Sequence, residues 1–304
     1  MELSFPRYLL SKQSVDDRAL NRVVLAELQK SLAAWPADVP VRVVEVGAGI
    51  GTMLTRLLRW GLLPPQAEYT LVDEMDENIR FARQWLPEWA ASNGFRVEDD
   101  PQTGLRLSNA RFAIQIHFFS ADVFDFIRAR AGSGYDVLIA HAFLDLLPMP
   151  DSLASLFQLL KPGGLAWLTV NFDGVTTLEP LLDPGLDAQI ERLYHQSMDL
   201  RPSGGDSQSG RHLFRHLRQA GAEIVSAGAS DWVVYPLEGQ YPADEAYFLH
   251  FILHFFESSL SGHPDLAPGQ FAAWLSQRRA QVERGELVYI AHQMDFLVKN
   301  AQPG

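Results

Sequence analysis

Glu45, Gly47, Gly49 and Gly51 alternate along Val43-Val44-Glu45-Val46-Gly47-Ala48-Gly49-Ile50-Gly51, between a β-branched run and an amphipathic stretch from Thr52 to Trp60. Glycines between a strand and a helix can admit a ligand. They let the chain turn sharply and let a bound molecule approach the backbone, and the helix start offers unpaired N–H groups. Spacing separates the ligands. The dinucleotide fingerprint is G-x-G-x-x-G, whereas here the third glycine comes one residue early. A nicotinamide-dependent oxidoreductase is therefore disfavoured, and a ligand-free strand–helix turn is the plainer alternative.

Two further carboxylates follow at strand ends. Asp73 closes Leu71-Val72-Asp73, about 20 residues beyond the loop, where an ionised carboxylate can accept from both hydroxyls of a ribose. Glu74 and Met75 stand beside it. Asp122, in Ser120-Ala121-Asp122-Val123, could accept from an adenine amino group and also cap the helix that follows.

The G-x-G-x-G loop preceded by Glu45 resembles motif I of the class I S-adenosylmethionine-dependent methyltransferases. Leu71-Val72-Asp73 and Ser120-Ala121-Asp122-Val123 are similar to the family's second- and third-strand ends. The stretch from Tyr135 to Pro148 resembles its fourth-strand segment, and Leu159 to Leu168 its fifth-strand entry. These matches span residues 40–173, in the family's order. The resemblance implies S-adenosylmethionine as cofactor, held at Glu45, Gly47, Ala48, Gly49, Gly51, Asp73, Glu74, Met75, Ala121, Asp122, Val123 and His141. N-terminal elements often fold over the cofactor in this family, which adds Tyr8 and Lys12. Lys161-Pro162-Gly163-Gly164 reads as a structural helix stop.

The elements that must hold these residues alternate. Strands are expected at 41–46, 69–73, 110–119, 135–140 and 165–172, with helices at 52–60, 77–89, 123–130 and 152–160 between them. A single helix is expected over 15–35, and the helix at 77–89 should end or break near Pro87. Such alternation implies right-handed crossovers and a largely parallel sheet. The expected fold is α/β, a seven-stranded, mostly parallel, doubly wound sheet with a helical cover inserted near the C-terminus. Residues 1–40 form a helical lid segment and 41–229 the cofactor domain, with a hairpin insertion at 92–110 and a cover segment at 174–210. Residues 230–286 are a helical insertion, and 287–304 the last strand and tail. Trp232 to Pro236 competes for that last strand, and the longer 287–298 is preferred.

Composition narrows the partners. The chain has 304 residues, 47% hydrophobic and 20% charged, enough apolar material for a core without staples. The absence of cysteine excludes disulfides, thiol nucleophiles and cysteine-ligated metal. A net charge of -12 without a basic block argues against nucleic acid. No signal peptide or membrane span is indicated, so the cytoplasm is the default. His250 and His254 are one turn apart but lack a third ligand, so no metal is expected.

Methyl transfer from a sulfonium needs alignment and desolvation above all, and a base only for a poor nucleophile. His141, Asp173 and Tyr247 are the candidate bases, with Asn171, His195 and His250 behind them. The reaction expected is methylation of a partly apolar small molecule on oxygen or nitrogen. A non-catalytic cofactor-binding scaffold is the alternative from another class.

Overall fold

The computed structural model describes residues 3–100, 104–202 and 204–301. Its strands are β1 (Val41–Val46), β2 (Gln66–Asp73), β3 (Arg96–Asp100), β4 (Gly104–Ser108), β5 (Ala113–Ser120), β6 (Tyr135–His141), β7 (Leu160–Glu179), β8 (Ala222–Ala229), β9 (Trp232–Val234) and β10 (Val288–Asn300). They form one ten-stranded sheet in the order β3-β4-β5-β2-β1-β6-β7-β10-β8, with β9 alongside β10. The five strands from β5 to β7 are parallel. Strands β3, β4 and β9 are additions to the seven expected; the remaining seven follow the expected doubly wound arrangement. The expected last strand, 287–298, is β10, and it runs antiparallel to both β7 and β8. The competing segment forms β9, which pairs with the first part of β10. Residues 92–110 hold β3 and β4, and β4 joins β5 antiparallel. Their turn at 101–103 lies outside the described residues.

The helices are α1 (Phe5–Ser11), α2 (Gln13–Ala19), α3 (Arg22–Ala33), α4 (Thr52–Arg59), α5 (Asp76–Ser92), α6 (Val123–Arg130), α7 (Asp151–Phe157), α8 (Pro184–Asp199), α9 (Ser209–Gln219), α10 (Glu245–Leu260) and α11 (Pro268–Glu283). Strand side chains alternate between two cores, as the period of two requires. Val43, Tyr69, Leu71, Ile139 and Trp167 face the core shared with α1 to α5, α8, α10 and α11. Val44, Val46, Leu138, Ala140 and Leu168 face α6, α7 and α9. Burial on both faces explains why β1 and β6 read as nearly continuous apolar runs.

Three local expectations need correction. The single helix over 15–35 is two, because Leu20 takes an extended ψ of 124° and the Asn21 side chain caps α3 by accepting from the N–H groups of Val23 and Val24. Helix α5 runs through Pro87 to Ser92, so the proline neither ends nor breaks it. Lys161 to Gly164 do not stop a helix; α7 has ended by Phe157. They lie in β7, at a shift in its register with β6, and the Lys161 ammonium pairs with Asp136 at 2.5 Å.

Beyond Thr169, β7 pairs only with β10, so the two continue past the parallel sheet as a ribbon that β9 extends. Helix α8 packs against β7 and α10, and α10 against α11. Phe248 of α10 meets Trp232 and Tyr289, and α11 reaches the Leu178 carbonyl through Arg278 and Asp187 of α8 through Trp274. At the departure point Val170 has a φ of 57°, a left-handed conformation that a β-branched side chain seldom adopts. A buried carboxylate holds it. Asp295 accepts from the Val170 N–H through Oδ1 and from the Asn21 N–H through Oδ2, both at 2.8 Å. Asp295→Asn would turn an NH2 toward one of these donors. The expected loss is about 2–3 kcal/mol, read as a lower urea midpoint with an unchanged slope; an unchanged midpoint would refute this role.

Candidate functional site

The loop between β1 and α4 is held in shape by its own backbone and by one carboxylate. Gly47, Gly49 and Gly51 have φ values of 62°, 55° and 81°. The Ala48 N–H donates to the Val72 carbonyl at 3.0 Å, and the Gly51 N–H to the Ala48 carbonyl at 3.0 Å. Asp73 Oδ2 accepts from the Gly49 N–H at 2.7 Å, while Oδ1 accepts from the Met75 N–H and the Asn78 amide, each at 3.0 Å. Asp73 thus fastens the loop to the end of β2 and keeps spare acceptor capacity on Oδ2. Beside it, Asn78 Oδ1 is buried without a hydrogen-bond partner among the described residues. Glu74 and Met75 are exposed on the rim.

The next strand end adjoins. Ser120 pairs with Asp73 in the register of β2 and β5, and the Ala121 N–H donates to the Asp73 carbonyl at 3.0 Å. Asp122 is exposed and caps α6, its Oδ1 accepting from Phe124 and Asp125 N–H groups at 2.9 and 3.0 Å. Val123 is buried beneath it. Glu45 points into the sheet face instead of the loop. It accepts from the Tyr69 hydroxyl at 2.7 Å, and burial, opposed by that bond and by Arg56, pushes its carboxyl up to about 8.

The loop is covered by the chain itself. A Cβ on Gly47 would lie 2.3 Å from the Phe143 ring, and one on Gly49 2.8 Å from a Leu9 methyl. Leu9 belongs to α1, so the N-terminal segment does lie over the glycines, through a residue that sequence reasoning passed over. Tyr8 instead turns toward α10, stacking on Phe251 at 4.5 Å between ring centres.

Lys12 is buried and lies 3.4 Å from Asp16. Asp16 is fully buried, and its carboxylate also takes the Trp232 indole N–H at 2.9 Å, His141 Nε2 at 2.9 Å and the Arg56 guanidinium at 3.6 Å. Burial disfavours its charge, yet Lys12 and His141 overcome that and hold the carboxyl well below the usual range.

The three candidate bases are not brought together. His141, at the end of β6, is engaged at both nitrogens, with Thr169 Oγ1 2.8 Å from Nδ1 and Asp16 at Nε2. Asp173 Oδ1 accepts from the Arg211 N–H and Nε at 2.7 and 2.8 Å, and Oδ2 lies 3.5 Å from His292. The Tyr247 hydroxyl accepts from the Ser4 N–H at 2.7 Å, with the Arg7 guanidinium 4.0 Å above its ring centre. Asn171 donates to the Met294 carbonyl, and His195 meets Thr176 at 3.0 Å. His254 lies near Glu257, and no cluster of three metal-ligand side chains occurs among the described residues.

A family model for a methyltransferase domain matches residues 17–227. The chain belongs to that methyltransferase family. Its members take their methyl group from S-adenosylmethionine. Solved structures agree in fold: a methyltransferase from Bacillus halodurans shares 12% identity over 91% of this chain and 99% of its own, with a TM-score of 0.51. The cyclopropane synthase MmaA2 of Mycobacterium tuberculosis aligns at 10% identity over 98% and 94%, with a TM-score of 0.47. A phosphoethanolamine N-methyltransferase of Haemonchus contortus, solved with S-adenosylhomocysteine, aligns at 10% identity over 99% of this chain and 61% of its own, with a TM-score of 0.46. No curated protein matches the sequence.

The donor set of this methyltransferase fits the cofactor. Three left-handed glycines, a strand-end carboxylate with spare capacity, an unpartnered amide oxygen and an exposed second carboxylate border one another. No helix among the described residues is long and apolar enough to cross a membrane.

Burial, opposed by Asp16, lowers His141 to about 4. Between its unfolded value of about 6.5 and about 4, the unfolded chain binds a proton that the folded one refuses. Its contribution is therefore complete above that window and is lost as pH falls through it, by up to about 3 kcal/mol. Glu45 and Asp295 are shifted up and act in the opposite sense, so the test is a comparison. In urea unfolding the advantage of wild type over His141→Gln should shrink from pH 7 to 4.5. A constant difference would refute it.

Proposed function

We propose that the glycine loop and the Asp73 and Asp122 strand ends bind S-adenosylmethionine, and that the protein methylates an oxygen or nitrogen of a partly apolar small molecule. The observation carrying this reading is the junction of three strand ends, where Asp73 fixes the Gly49 N–H while Asn78 Oδ1 lies buried and unpartnered. In this reading Gly47, Ala48, Gly49 and Gly51 cradle the donor, Asp73 accepts its ribose hydroxyls and Asp122 its adenine amine. Ala121, Val123, Glu74 and Met75 border it, Glu45 supports the loop from below, and His141, Tyr8 and Lys12 belong to the surrounding cover. When bound, the donor supplies an activated methyl group. The protein's tasks are alignment and exclusion of water, which the segments 174–210 and 230–286 would perform as a cover. The net charge of -12 supports a small acceptor over a nucleic acid, and a cytoplasmic setting is part of the same reading.

Entry requires Leu9 and Phe143 to withdraw from the glycines. Titration calorimetry should therefore give micromolar binding of both S-adenosylmethionine and S-adenosylhomocysteine. Asp122→Ala should weaken it about tenfold, at a folding cost of about 1 kcal/mol from the lost cap. Leu9→Ala should speed association several-fold in stopped flow. No binding of either compound would overturn the assignment. Binding without methyl transfer to any acceptor would favour a cofactor-binding scaffold.

A further inference from the structure

A cleft opens across α1 from the glycine loop. Leu9 of α1 meets Gly49, whereas Arg7 stands two residues earlier and therefore about 200° around the helix. There Arg7 borders a cleft of about 390 Å³, walled by α1, the turn before α10, the first part of α10 and the end of α11. The walls are fixed by contacts of their own. Leu237 and Gln240 exchange two backbone hydrogen bonds across the turn, at 2.8 and 3.0 Å. The Tyr241 hydroxyl donates to the Leu287 carbonyl at 2.8 Å. A Cβ on Gly285, just past α11, would lie 1.9 Å from the Gly239 carbonyl oxygen, so only glycine lets the two segments touch. Glu238 and Ala243 have φ values of 52° and 50°, two of the four left-handed non-glycine residues among the described residues. Such conformations persist only where the surroundings impose them.

Several polar groups lining this cleft have bonding capacity left over. Arg7 donates through Nε and Nη2 to Asp244 at 3.0 and 3.1 Å, with its guanidinium over the Tyr247 ring. Its Nη1 has no acceptor among the described residues. Glu283, the last residue of α11, is exposed and pairs with no cation among the described residues. Half-buried His250, three residues along α10 from Tyr247, has no hydrogen-bond partner among them at either nitrogen. Burial lowers its pKa, so the ring is neutral near pH 7. Ala246 and buried Val282 add apolar surface to the same walls.

We propose that this cleft is a second binding site, separate from the glycine loop, for an amino acid with an apolar side chain. The ligand's carboxylate accepts from Arg7 Nη1, its ammonium donates to Glu283, and its side chain lies against Val282 and Ala246. Charge selects the zwitterion. Asp244 already neutralises Arg7, so the unpaired Glu283 leaves the cleft with a net negative charge. A carboxylate alone would meet that charge with no ammonium to offset it. An amine alone would leave the Arg7 Nη1 donors unmet and its own charge beside a guanidinium. Neutral His250 can donate to the carboxylate or accept from the ammonium.

The test is calorimetric titration of the full chain with three matched probes. These are L-leucine, 4-methylpentanoate, which lacks the ammonium, and 3-methylbutylamine, which lacks the carboxylate. Leucine should bind at least about tenfold more tightly than either. Glu283→Gln should erase its advantage over 4-methylpentanoate, and Arg7→Gln its advantage over 3-methylbutylamine. Both side chains are exposed, so neither change removes buried packing. S-adenosylmethionine itself carries an amino-acid end, so the leucine titration is repeated with S-adenosylhomocysteine in excess, and the affinity should be unchanged. Displacement of leucine by that compound would assign it to the glycine loop and overturn the proposal. So would no binding of leucine, equal binding of either analogue, or a preference that survives both substitutions.

Discussion

The arrangement of the N-terminal segment depends on one buried charge. Asp16 has no solvent exposure, and an isolated carboxylate there would be too costly to keep ionised. It is tolerated because Lys12, His141, Trp232 and Arg56 surround it. These partners come from the α1–α2 joint, the end of β6, the start of β9 and the middle of α4. One carboxylate therefore binds the first helices to the parallel sheet and to the ribbon. Removing a single partner would leave charge uncompensated in the interior, which makes the set cooperative.

The placement of α2 in turn fixes α1, and with it the cover over the glycines. The ties holding α1 itself are of another kind. Arg7 pairs with Asp244 at an exposed position, where such pairs contribute little, and the Ser4 backbone meets Tyr247. The stacking of Tyr8 on Phe251 and the contact of Leu9 with Gly49 are nonpolar. Contacts that hide the glycine loop are thus of a different kind from the ionic set that anchors α2.

Much of the region around the glycine loop was legible in the sequence because its constraints are local. Left-handed backbone at alternate positions calls for glycine, and carboxylates at strand ends are separated by whole strand–helix units. The parallel strands were legible for the same reason, since burial on both faces makes each a nearly continuous apolar run. The misreadings share a cause. Val15 to Trp35 keeps helical periodicity across Leu20; the break there is set by the Asn21 cap together with the Asp295 bond to the Asn21 N–H, from a strand 274 residues away. Lys161 looked like a helix stop because proline and glycines serve both helix ends and strand irregularities. Nothing near Asp16 in the sequence reveals its burial. Leu9, Phe143 and Asn78 carry no local signature at all.

The ribbon region is built from distant segments, yet the sheet still controls its geometry. Tyr289 lies opposite Leu178 in the register of β10 and β7, and the same two strands pair Phe296 with Leu168 deep in the sheet. Leu168 in turn lies beside Ala140 of β6, next to His141 and the turn carrying Phe143 and Asp145. A ladder of backbone hydrogen bonds, shifted in register between Ala291 and Gln293 and again between Met294 and Phe296, thus relates Tyr289 to the strand end beside the glycine loop. Side chains set on such a ladder hold their separation better than side chains on loops would. For a reaction governed by alignment, that rigidity is what a shared pair of strands supplies. The strained Val170 is where the ribbon leaves the sheet, and Asp295 holds it in that conformation.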